Sequence, residues 1–291
     1  MTLTINTNAA ATAASYHLSR NNAALQKSLT RLSSGSRINK PSDDAGGLAV
    51  SMKLNASINR LQGVNNNIQN AISFLEVQDG VLQGAAGILT RMGELKALSQ
   101  DVLKNASDKA NYNAEFQSLQ QQLYQIGNET FNGVSLFAIR NTDDTKQAVF
   151  GTDTSLDNTA SIYTSERGTA GSVVSIGKAA LLSSVTFTDE TDTTAVAWTA
   201  NTGTAGTSHS FAADGSGNTI DLDDLGVSFF TAALENIATL RADNGGTASR
   251  LNFSLEHANR AQANLEAANG RIVDVDIAEE STRLAKYNIL V

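Results

Sequence analysis

The sequence predicts a mainly α protein: long N- and C-terminal helices paired in a coiled-coil-like bundle, with a small β-rich central insert. Three observations lead there. Apolar residues recur at helical spacing over residues 1–140 and 227–291. Pro41 is the single proline among 291 residues, so almost nothing interrupts those runs. Between them, residues 141–226 turn rich in Thr, Ser, Gly and Asp.

The first predicted helix carries Leu18, Leu25, Leu29 and Leu32 on one stripe and stops at Ser33-Ser34-Gly35-Ser36. Pro41-Ser42-Asp43-Asp44 supplies a cap for the next. In that second helix Leu54, Ile58, Leu61, Ile68, Ile72, Leu75 and Leu82 alternate steps of four and three, with Asn65 and Asp79 in the skipped slots. This is a heptad seam, and polar groups within such a seam fix register. The stepping recurs in Tyr112, Phe116, Leu119, Leu123 and Ile126, and again in Leu251, Leu255, Ala258, Leu265 and Ile272. Asn132-Gly133 marks a turn after the third helix. Amphipathic helices of this length gain stability mainly by covering one another's apolar stripes, so the C-terminal segment is expected to return alongside the N-terminal ones. In the insert, Ser172–Ile176, Val185–Phe187 and Ala195–Trp198 are β-prone, and the surrounding Thr-rich, acidic surface is expected to face solvent.

Composition narrows the function classes. Hydrophobic residues are 41% of the chain but aromatics only 5%, which points to a core of Leu, Ile, Val and Ala. The net charge of −8, without a dense run of Lys or Arg, argues against a nucleic-acid or anionic-membrane partner. No cysteine is present, so disulfides, thiolate metal sites and Cys nucleophiles are excluded. The N-terminus shows no basic region followed by an apolar one, and no run of about 18 apolar residues occurs. No G-x-S-x-G, G-x-x-x-x-G-K-[ST] or H-E-x-x-H pattern is found. His17, His209 and His257 lie far apart in sequence. The acidic residues Asp189, Glu190, Asp192, Asp221, Asp223 and Asp224 read as a solvated face, and Asp214–Thr219 lacks the glycine and distal Glu of a calcium loop. The sequons at Asn105 and Asn128 are of a kind that arises by chance in such a chain. The expectation is a non-enzyme without catalytic residues, cofactor or metal.

Both ends of the chain resemble bacterial flagellin. The N-terminal match lies in Ile5–Asn8, Leu29-Thr-Arg-Leu-Ser-Ser-Gly-Ser-Arg-Ile-Asn39, Asp43-Asp-Ala-Gly-Gly-Leu-Ala-Val-Ser51 and Phe131-Asn-Gly133. The C-terminal match lies in Ala258-Asn-Arg-Ala-Gln262 and Arg271-Ile-Val-Asp-Val-Asp276. The resemblance implies that residues 1–40 and 275–291 line the inner tube of a filament, that 41–140 and 227–274 form the surrounding helical layer, and that 141–226 is a variable surface insert. It implies filament packing through Leu18, Leu25, Leu29, Arg31, Leu32 and Leu284, over a bundle seam of Leu54, Ile58, Leu61, Ile68, Ile72, Leu75, Leu251 and Leu255.

By the same resemblance the protein is an extracellular flagellar subunit, self-assembling for motility and exported unfolded through the flagellar channel. Its partners are other copies, the export apparatus and an export chaperone, and the hook-associated and cap proteins. An animal innate immune receptor contacts the family through the region matching Arg91, Leu95 and Glu115, with Gly93 standing where many recognised members carry arginine. The family's C-terminal helix continues further than Val291, so the inner-tube segment is expected to be cut short here. Two alternatives stay open on sequence alone: a hook-filament junction protein, which shares helical ends, and a secreted coiled-coil adhesin using its insert to bind a glycan.

Overall fold

The computed structural model describes residues 8–139, 147–151, 159–188, 192–199, 208–214 and 219–291. Asp189 and Glu190 of the acidic set lie outside them, as does most of the loop after Asp214. The chain divides into two compact units, Met1–Gly63 with Ala258–Val291 and Val64–His257.

In the first unit, α1 (Ala9–Ser34) starts where the Asn8 side chain accepts from the backbone N–H groups of Ala10 and Ala11, and ends at Gly35, whose φ of 68° only glycine adopts without cost. Helix α2 (Ala45–Ser99) is launched by Asp44, whose Oδ1 accepts from Gly47 N–H at 2.8 Å. The last helices are α5 (Val227–Val273) and α6 (Ile277–Leu290), separated by a short break at Asp274–Asp276.

In the second unit, α2 runs on to Ser99 and α3 (Ala106–Gly127) begins with a reciprocal capping box between Asn105 and Asp108. Strands β1 (Thr130–Phe131) and β2 (Val134–Ser135) then form a hairpin around Asn132-Gly133, both at positive φ, the turn predicted from those two residues. Strand β3 (Thr159–Tyr163) pairs antiparallel with β4 (Val173–Gly177), and α4 (Leu181–Ser184) leads into β5 (Thr186–Phe187), which pairs with β6 (His209–Ser210).

Two features of the insert differ from the sequence reading. Ala195–Trp198 is not a strand: Ala195 makes one bridge to Phe187, and Val196 N–H donates to the Thr186 carbonyl at 2.9 Å. Part of the described insert is also packed down, although its acidic Asp192, Asp221, Asp223 and Asp224 are exposed as expected. Residues Leu181–Phe187 and Phe211–Ala213 are buried, in a core shared with Leu82, Leu89, Met92 and Leu95 of α2, Phe116 and Leu123 of α3, and Phe229, Phe230 and Ile237 of α5. Strand β4 alternates, and its inward Val174 and Ile176 pack with Ile68, Leu75 and Leu251.

The scarce aromatics are concentrated, which the aliphatic-core expectation missed. Phe211 contacts Phe116, Phe187 and Phe230, and Phe187 also meets Phe229, with centroids 4.7–6.5 Å apart. Edge-to-face geometry of this kind adds about 0.5–1.5 kcal/mol per pair beyond burial. Tyr124 stacks on Trp198 at 5.1 Å, fixing the segment that does not become a strand.

Candidate assembly surface

Helices α1 and α6 pack against each other, so the two chain ends pair lengthwise. Each begins with a side-chain cap, and in α6 the Asp276 Oδ1 accepts from Ala278 and Glu279 N–H at 2.9 and 3.2 Å. Asn21 Nδ2 donates to the Leu290 carbonyl at 3.2 Å. Glu280, only 4% exposed, lies 3.8 Å from Arg31 and 3.6 Å from Arg283, so a buried charge finds two opposite ones. The breaks between helices are also tied. Arg37 donates its backbone N–H to the Val273 carbonyl at 2.6 Å and its guanidinium to the Ile272 carbonyl at 2.7 Å, while Val275 N–H returns to the Gly35 carbonyl at 3.0 Å. Further along, Asn269 accepts from Ser51 Oγ at 2.8 Å and donates to Asn55 at 3.1 Å, stitching α5 to α2.

This pairing uses only part of the apolar surface of α1 and α6. Leu25, Leu32, Arg31 and Leu284 are half-buried, whereas Leu18 and Leu29 stay exposed. Tyr16, Ile277 and Ile289 are barer still, at 65%, 66% and 84%. Large side chains left this open along one helix pair form an exposed apolar surface.

The seam residues take their places along α2 and α5. Ile58, Leu61, Ile68, Leu75 and Leu251 are buried, and Leu54, Ile72 and Leu255 half-buried. Asn65 is buried within the stripe, and Asp79 is engaged by Arg241 of α5 through both carboxylate oxygens at 2.8 and 3.0 Å. That guanidinium holds the Asp79 carboxyl below its usual value of 3.8.

Of the residues matched to a receptor contact, Arg91 and Glu115 are exposed and hydrogen-bonded to each other at 2.9 Å across α2 and α3, with Glu94 3.0 Å from the same guanidinium. Leu95 does not join them. It is fully buried, and so cannot present its side chain to a partner. Four residues advance a helix by a net rotation of about 40°, which carries Leu95 from the rim where Arg91 sits into the core. Gly93 is half-buried, and a Cβ there would meet Phe230 at 3.8 Å.

Among the described residues no group of three or more His, Asp or Glu side chains is arranged to hold a metal ion. No described helix is long and apolar enough to cross a membrane.

With the paired ends in view, the comparisons with known proteins fall into place. Residues 5–142 match the model of the bacterial flagellin N-terminal helical region, and residues 227–291 that of the C-terminal helical region. The flagellin of Bacillus subtilis is 31% identical over 98% of this chain and 92% of its own length. The chain belongs to the bacterial flagellin family. The flagellar filament 33 kDa core protein of Treponema phagedenis is 29% identical over 99% of the chain and 92% of its own length. Flagellin FlaB2 of Treponema pallidum is 30% identical over the same shares.

One functional arrangement in this flagellin escaped sequence reasoning. On α3, Asn113, Gln117 and Gln120 line up to read the backbone of the segment leading into α5. Gln120, fully buried, donates to the Ile220 carbonyl at 3.0 Å and accepts from Ile220 N–H at 3.2 Å. Asn113 accepts from Leu222 N–H at 2.8 Å, and both Asn113 and Gln117 donate to Asp221 Oδ1. The buried Lys96 ammonium closes the clamp on the Leu222 carbonyl at 2.8 Å, 3.5 Å from Asp223. This fixes where the chain leaves the insert and enters α5, and so which face of α5 meets α2. Amides spaced three and four apart on one helical face were the available signal.

Proposed function

We propose that this chain is a structural subunit of the bacterial flagellar filament, polymerising through the apolar surfaces its paired end helices leave open. The observation that supports it is the exposure of Leu18, Leu29, Tyr16, Ile277 and Ile289 on two helices that already share a contact. Copies repeating one heterologous contact without closing a ring form a helical filament. Residues 1–40 and 275–291 form the inner tube, 41–140 and 227–274 the layer around it, and 141–226 the outward surface.

The protein acts mechanically and outside the cell, reaching the filament through the flagellar export channel with an export chaperone and meeting the hook-associated and cap proteins there. The absence of cysteine supports threading through a narrow channel, since no disulfide has to be undone. Recognition by an animal innate immune receptor uses Arg91 and Glu115, both exposed on adjacent helices.

Salting-out of the purified chain onto sonicated filament seeds, followed by sedimentation and negative-stain microscopy, tests the reading. Long filaments are expected from the wild type, and Leu29→Asp is expected to block growth while leaving the helical content of the monomer unchanged. Discrete rods or a persistent monomer from the wild type contradict it.

A further inference from the structure

Three Asn-Gly pairs occur in the chain: Asn132-Gly133, Asn244-Gly245 and Asn269-Gly270. An asparagine followed by glycine carries its own electrophile and nucleophile. Its side-chain carbonyl carbon lies one ring closure from the next backbone nitrogen, and glycine puts no Cβ in the way. The three pairs are equal in sequence, and the fold separates them. Asn132 and Gly133 are both exposed and make the turn of the β1–β2 hairpin, whose pairing is only Thr130 with Ser135 and Phe131 with Val134.

The other two pairs lie inside α5. Helical hydrogen bonding ties the amide that follows each asparagine and fixes the asparagine ψ, so ring closure there requires the helix to open. Asn244 is buried as well. Asn269 is held at both ends of its side-chain amide, accepting from Ser51 Oγ at 2.8 Å and donating to Asn55 at 3.1 Å. Asn132 has neither protection. It stands at φ 50°, a left-handed conformation that a residue with a Cβ adopts only at a cost. In a two-residue hairpin turn the second residue's N–H points to solvent and makes no ladder bond, which leaves the Gly133 nitrogen accessible.

We propose that Asn132 is a self-modification site, converted without an enzyme to aspartate and isoaspartate through a cyclic imide closed by Gly133. The Gly133 nitrogen bonds to Asn132 Cγ as the Cγ–Nδ2 bond breaks, and Nδ2 leaves as ammonia with the proton given up by the Gly133 amide. One water then opens the imide. Opening at Cγ restores the ordinary chain and leaves aspartate. Opening at the backbone carbonyl leaves isoaspartate, with the chain now running through Cγ. Either product adds a carboxylate. The isoaspartate also lengthens the turn backbone by one atom, which breaks the match between Phe131 and Val134. The conversion consumes only water and needs no second copy, so it stands apart from the filament reading.

The test ages the purified chain in mildly alkaline buffer, as native monomer and, in parallel, unfolded in guanidinium chloride. Peptides are mapped by mass spectrometry, and isoaspartate is scored by methyl transfer from S-adenosylmethionine with an isoaspartate methyltransferase. In the native chain, conversion at Asn132 is expected to be at least about a hundredfold faster than at Asn244 or Asn269, which react only when α5 opens. In the unfolded chain the three rates are expected to converge. Amide exchange at Phe131 and Val134 is expected to speed up as the native wild type ages, and to stay slow in aged Asn132→Gly, which keeps the turn and cannot cyclise. Three results overturn the assignment: native Asn132 stays an amide while the unfolded chain converts there, the α5 pairs keep pace with Asn132 in the native chain, or aged Asn132→Gly loses its hairpin protection as the wild type does.

Discussion

Arg241 of α5 holds Asp79 of α2 by both carboxylate oxygens, at 2.8 and 3.0 Å, in the slot where the heptad seam skips an apolar residue. The pair pins the register of the two helices at a place where packing alone would allow a slip. Side chains of both are 38–39% exposed, so solvent screens the pair and its net worth is about 1 kcal/mol. The folded-state pKa of Asp79 is depressed, first by the Arg241 hydrogen bond. Its contribution is therefore present above the unfolded carboxyl value of 3.8 and is lost as pH falls through the lower folded one. Asp43, held down chiefly by Lys27, has the same sign. In urea melts, Asp79→Asn is expected to lower stability at pH 7 and to flatten the loss of stability below pH 4; an unchanged acid limb contradicts the assignment.

Gln120→Ala strips both hydrogen bonds from the buried Ile220 backbone and leaves a donor and an acceptor dry. The expected cost is about 2–4 kcal/mol by chemical denaturation. Asn113→Ala, at a half-buried position, costs less. Equal and small effects from both show that the clamp does not hold the entry to α5.

Gly84 lies inside α2 with nothing within 4 Å of where a Cβ would stand. Gly84→Ala is expected to raise monomer stability by about 0.5–1 kcal/mol through helix propensity alone. Calorimetry of the monomer showing a lower midpoint contradicts this.

Gly133 sits at φ 79° beside Asn132 at φ 50°. Gly133→Ala is expected to destabilise the β1–β2 hairpin by about 1 kcal/mol, seen as faster amide exchange at Phe131 and Val134. Asn132→Gly, which keeps the turn geometry, is expected to be nearly neutral.

What the sequence disclosed and what it withheld divide along local and non-local lines. The seam from Ile58 to Leu75 is a repeat within one segment, and Gly35 and Asn132-Gly133 act on their own backbone, so each could be read directly. The knot of Phe116, Phe187, Phe211, Phe229 and Phe230 joins residues from four separate stretches, and no local pattern links them. For the same reason Ala195–Trp198, β-prone by composition, lost out to the Tyr124 ring that captures Trp198. Leu95 entered the receptor set through the resemblance alone, which does not tell which face of α2 turns inward, and it is fully buried. The apolar ridge on α1 was legible as a stripe, but which of its leucines α6 would cover was not, since that depends on the crossing of two helices.

The central claim is that α1 and α6 pair in one molecule and complete their burial only against other copies. Hydrogen–deuterium exchange of monomer and seeded filament, compared peptide by peptide, tests it most directly. The account predicts weak protection of residues 9–34 and 277–290 in the monomer and at least about a hundredfold slower exchange there in the filament. Equal protection of these helices in both states contradicts it.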